Sequence, residues 1–216
     1  MYPYNSYQSM IDTYKFLKNY NTNIMYNEGQ RYNTAVTCFG RFKDYIDSKL
    51  NVDVNVNFSD LKRTFFDNYY GEAGPYMEQL FDEETEWISY IETKLNSPGD
   101  IYEEIADQNF WPKQTLNHFL DLCDKAYEAI APLKVTDNKM YSVFHDHINI
   151  ESMFPRFSLI DLYGSTIPND ELIKMQNEFK ADCEALGIVE YKEVHKQYPV
   201  GQQGYITEKF KEWGME

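Results

Sequence analysis

Chemistry is best prepared for at Tyr26-Asn27-Glu28-Gly29-Gln30, where a β-like run over 22–26 ends in a carboxylate and a glycine. In a βα-barrel the side chains at strand C-termini face the open cleft, because the loops there form its walls. Glu28 in that position would aim a carboxylate into a cleft, with Tyr26 beside it as a second substrate-binding residue. The plainer reading is a polar turn residue ahead of a glycine.

A second constellation is His145-Asp146-His147 with Glu151 four residues on. His147 and Glu151 share a helix face, and an imidazole with a carboxylate can hold a metal. His145 and His147 would share a face only in a strand, and the surrounding YSVFHDHINIESMF has helical spacing. No HExxH is present, so a polar helix face with hydrogen-bonded histidines is the preferred reading, and neither a metal site nor a cofactor is expected. A third is Phe110-Trp111-Pro112 followed by Lys113. Trp111 ahead of a helix could be a stacking platform for a sugar, although such an aromatic more often staples the helix entry. Tyr69-Tyr70-Gly71 reads as a helix end packed on its neighbours. The chain has no Walker loop, no GxGxxG and no GxSxG elbow. No serine or cysteine stands in a signature spacing with a histidine, and no catalytic residue is assigned.

The elements that would position these residues are mostly helical. Residues 7–20 carry Met10, Tyr14 and Leu17 at helical spacing, and Val36, Phe39, Phe42, Ile46 and Leu50 form another stripe. The first 50 residues thus read as helix, strand, helix, and NVDVNVNF follows as a linker. Ser59 is the expected cap of a helix that Gly71 stops. Pro75 opens a long helix to about residue 95, with Met77, Leu80, Phe81, Ile88 and Ile91 inward, and SPGD at 97–100 breaks it. A short helix over 101–106 follows, then one opened by Pro112, a helical pattern over 137–163 bent near Pro155, and one from Pro168 to Gly187. IVEYKEVHKQY alternates like a strand, and a last short helix ends at Trp213. The fold class is mainly α: a helical bundle with one or two short strands. The division falls at 1–57, helix-strand-helix, and 58–216, an α-helical domain. A lone strand near residue 25 needs a partner for its backbone groups, and the segment near 188–194 is the one on offer within the chain.

Composition narrows the functions. With 216 residues, 43% hydrophobic and 17% aromatic, the chain can bury a core and is not a disordered, solvating sequence. No apolar run approaches the roughly 20 residues that span a bilayer. Thirty-five acidic against 20 basic residues give a net charge of −15, which repels phosphate backbones and anionic membranes, so neither nucleic acid nor membrane is an expected partner. Cys38, Cys123 and Cys183 are too few and too scattered for a disulfide framework or a zinc site. The N-terminus carries no signal-peptide pattern.

The run from Asn27 through Phe81 resembles the C-terminal region of a bacterial glycosidase-like family of unknown function. Its large proteins carry a (β/α)8-type barrel similar to that of α-glucuronidases and hexosaminidases, followed by helices. The resemblance rests on Glu28-Gly29, on Phe39, Phe42, Tyr45, Ile46 and Leu50, and on Phe65-Phe66, Tyr69 to Ala73 and Met77. Phe154 to Phe157 and Tyr163-Gly164 add to it less specifically. It implies that residues 7–50 include the last βα unit of a barrel, and that the rest is an appended helical domain. A barrel needs roughly 200 residues or more, so the chain is expected to be a non-catalytic fragment that supports a missing barrel domain or associates with carbohydrate. The parent would be secreted or periplasmic. The alternative is a freestanding helical module binding a peptide or glycan through an aromatic groove. Apolar stripes over 10–17 and 36–50, bared by loss of the barrel, are expected to form a homodimer face.

Overall fold

The structure is a computed structural model, and it describes residues 3–22, 39–95, 105–192 and 204–215. These form α-helices α1 (Tyr7–Asn19), α2 (Gly40–Leu50), α3 (Phe58–Tyr69), α4 (Gly74–Lys94), α5 (Lys113–Ile130), α6 (Leu133–Thr136), α7 (Asn138–Tyr163), α8 (Asn169–Leu186) and α9 (Ile206–Glu212), with 3-10 turns at Gly71–Ala73 and Gly164–Thr166. The fold is mainly α. Among the described residues there is no strand. Of the alternating segment 188–198 only residues 188–192 are described; they make one antiparallel bridge, Glu190 with Tyr205, closed by Tyr191 N–H on Gly204 O and Ile206 N–H on Val189 O, both at 2.9 Å, and residues 193–198 lie outside the described residues. The strand read at 22–26 lies outside the described residues except for Thr22, which is not in a strand, so of the barrel unit built on it only the helix over 40–50 is described. The short helix read at 101–106 is described only at Ile105 and Ala106, which are turn and coil.

Local chemistry sets the helix limits. Asn57, two residues before the expected Ser59, caps α3: its Oδ1 accepts the Asp60 N–H at 3.2 Å. Gly71 ends the helix at φ +56°, and a Cβ there would meet Phe144 Cε2 at 2.5 Å, so a side chain would be strained and would displace the Phe144 ring. Pro75 lies in the first turn of α4, where the missing N–H costs nothing. Asp137 caps α7 by accepting the Met140 N–H at 3.0 Å. Pro155 is carried inside α7, and Gly187 closes α8 in the left-handed region at φ +67°.

One hydrophobic cluster runs from Tyr7 to Phe210. Its first half is a knot of rings: Phe42 sits 5.0 to 5.3 Å from Phe65, Phe66 and Phe81, and Tyr7 meets Phe81 edge-on at 4.8 Å. Helices α1 and α2 of the 1–57 segment therefore pack on α3 and α4. The stripes expected to form an exposed dimer face point inward instead: Ile11, Tyr14, Phe39, Phe42, Ile46 and Leu50 are buried, and Met10 and Leu17 half-buried. Burial of each such side chain stabilises the fold by about 2 kcal/mol, and the homodimer expectation loses that face. Phe16 of α1 and Tyr20, just past its end, are exposed rings. A second ring cluster closes the far end, with Phe157 and Phe179 under Phe210 and Trp213. No helix of the described residues is long and apolar enough to cross a membrane.

Candidate functional site

The helices α4 and α5 leave a groove of about 480 Å³ between them, lined by Glu83, Glu86, Trp87, Tyr90, Gln114 and His118, with Thr115 and Phe119. Its position follows from the periodicity of α4. The stripe Met77, Leu80, Phe81, Ile88 and Ile91 faces the core, which turns Glu83, Glu86, Trp87 and Tyr90 to one flank. Trp87 and Tyr90, three residues apart, hold their ring centroids 5.3 Å apart at 32°. The indole is fixed by its Nε1–H, which donates to Phe110 O at 2.8 Å. Tyr90 is 44% exposed.

The polar groups of the groove divide into committed and open ones. Glu83 accepts from Gln79 Nε2 at 2.7 Å and from His118 Nε2 at 2.5 Å. Glu86 and Gln114 have no hydrogen-bond or ion-pair partner among the described residues, so a carboxylate and an amide stand open beside a fixed aromatic platform. A few open polar groups around an aromatic surface fix a ligand's orientation while the rings supply contact area.

The residues singled out in the sequence fall elsewhere. Glu28 and Tyr26 lie outside the described residues. Trp111 is fully buried: its Nε1–H donates to Ile105 O at 3.1 Å and its ring meets Phe154 edge-on at 4.7 Å. It has no face to offer a sugar, because the core takes both its ring and its polar atom. His147 stacks flat on Tyr69, centroids 3.7 Å apart, and its Nδ1–H donates to Tyr69 O at 2.7 Å. Burial, foremost, lowers the pKa of His147. Glu151 turns to the chain instead and accepts the Phe39 N–H at 3.0 Å, holding Phe39 at φ +50°. Among the described residues no group of three or more His, Cys, Asp or Glu is placed to hold a metal.

A buried acid went unread. Glu84 is 3% exposed on α4, and its Oε1 has no hydrogen-bond partner. Burial first, and then the charge of Glu151, raise its pKa well above the carboxylate value, against a smaller opposing effect of Lys43. The same burial and the same Glu151 push Tyr69 up to about 12 and Tyr70 and Cys123 upward as well. A second, polar cleft between α5, α7 and α8 contains Arg156, which is already engaged by Asn149 Oδ1 at 3.0 Å and Asp182 at 2.7 Å. That pairing ties α7 to α8 and leaves the guanidinium committed.

Comparisons of the chain with protein families, with curated proteins and with solved structures find no match.

Proposed function

We propose that this chain is a non-catalytic helical domain that associates with carbohydrate through the α4–α5 groove, as a supporting part of a glycosidase-like protein. The observation that carries the reading is the Trp87–Tyr90 ring pair with the open Glu86 and Gln114 beside it. Sugars present C–H faces to aromatic rings and vicinal hydroxyls to planar polar side chains, and the groove holds both. The net charge of −15 weighs against anionic ligands but not against a neutral polyol. The resemblance over residues 27–81 supports the glycosidase setting, and Glu28 is its second sugar-facing candidate.

A glycan array followed by calorimetry on the best neutral oligosaccharide tests the reading. Tyr90→Ala should weaken binding about fivefold or more, the loss of roughly 1 kcal/mol of ring contact, and Glu86→Gln should weaken it with an unchanged fold. Binding untouched by both variants, or no binding to any glycan, overturns the assignment of the groove. An acidic peptide-binding groove would instead favour a Lys- or Arg-rich peptide over every sugar.

A further inference from the structure

A different groove, between α8 and α9, encloses about 830 Å³ and differs from the α4–α5 groove in both lining and charge. Its walls are apolar: Cys183, Ile188, Val189, Ile206, Phe210 and Met215. Of its charged lining residues, Lys180 and Lys211 outnumber Glu184, the reverse of the chain as a whole. Lys180 Nζ stands 5.8 Å from the Phe210 ring centroid, and Lys211, on α9, also lines the groove. Neither lysine has a carboxylate within ion-pair distance among the described residues. Lys209, by contrast, is spent on Asp161 at 3.1 Å and Glu212 at 2.9 Å.

The space is ample for a small ligand. Its upper edge passes Gly187, where an added Cβ would meet nothing within 4 Å, and Val189 remains 46% exposed. We propose that this groove binds an amphipathic carboxylate, an unbranched acyl chain lying along the apolar wall with its carboxylate between Lys180 and Lys211. The apolar wall recognises the chain by area alone, and the two unpaired ammonium groups supply the charge-assisted bonds that choose an acid over other head groups. The proposal is independent of carbohydrate binding and concerns a separate surface.

Decanoate, titrated below its micelle concentration and followed by calorimetry and by amide NMR shifts, is the probe. Saturable binding is expected, with shifts centred on Ile188, Val189 and Phe210. Shortening the chain should weaken it roughly two- to fourfold per methylene. Lys180→Ala with Lys211→Ala should weaken it roughly tenfold or more, and Val189→Asp, at an exposed position that leaves the core intact, should abolish it. Tyr90→Ala should leave it unchanged, which separates this site from the carbohydrate groove. Equal or tighter binding of decyltrimethylammonium, unaltered binding in Val189→Asp, or no saturation by decanoate overturns the proposal.

Discussion

Replacing Glu84 by glutamine removes a titrating group from the core while keeping its shape. The wild-type carboxyl is buried with an oxygen that nothing satisfies, and its pKa lies well above the free value of 4.5 because of burial and then Glu151. The folded chain therefore binds more protons than the unfolded chain across this range. Stability is then highest below about pH 4.5 for this group and falls as pH rises toward the folded pKa, with a slope of up to about 1.4 kcal/mol per unit. By pH 7 the loss reaches at most about 3.4 kcal/mol, the cost of holding a proton on a carboxyl whose free pKa is 4.5. Glutamine adds a buried amide whose unmet donors cost about 1–3 kcal/mol, but that cost does not vary with pH. Urea unfolding, read by tryptophan fluorescence between pH 4.5 and 7, should show Glu84→Gln gaining on the wild type as pH rises, and Glu84→Met, with no polar atom to satisfy, lying above Glu84→Gln throughout. Stability curves of wild type and Glu84→Gln that stay parallel over this range would refute the argument.

Three further expectations follow from packing and titration. Gly71→Ala should cost roughly 2–4 kcal/mol, from its positive φ and from the collision with Phe144, read as a lowered denaturation midpoint; an unchanged midpoint would mean that Phe144 gives way freely. Cys183, with burial pushing its thiol up to about 12, and Cys123, pushed higher still, should resist thiol reagents at pH 8 in the native state and react on unfolding, which site-resolved mass spectrometry reads. Asp161→Asn removes the charge that holds Lys209, and weakens the acceptor of the Trp213 Nε1–H at 3.0 Å, so α9 should lose roughly 1–3 kcal/mol of anchorage, seen as faster amide exchange over Ile206–Glu212.

The helical frame was legible because its punctuation is chemical. Pro75, Pro112, Pro168 and Gly187 stand where the chain's own donors and φ preferences demand a start or a stop, and the structure keeps each one there. Glu84 was also within reach. It lies four residues after Leu80 and four before Ile88, on the same inward stripe, and an acid in an apolar stripe is the signal of a buried charge. Trp87 and Tyr90 were passed over because attention to the inward face of α4 leaves its flank unread. Trp111 was the opposite case: an aromatic before a proline at a helix start can equally staple the entry or greet a ligand, and only the partner across the gap, here Phe154 with Ile105 O, decides. At 188–192, the described part of the strand read at 188–198, the pairing is a single bridge, because alternation records two faces of different polarity but not whether a neighbouring backbone runs alongside for more than one residue pair.

The closing of the second ring cluster by α9 bears on the order in which the ribosome delivers the chain. Phe157 and Phe179 are made first, and the rings that cover them, Phe210 and Trp213, come later. The interval from 179 to 210 is 31 residues, about 2–6 s of synthesis at ~5–20 residues per second. Until α9 is in place, the ring cluster of α7 and α8 lacks two of the rings that cover it in the folded chain. A chain stalled before α9 would keep that cluster open for good.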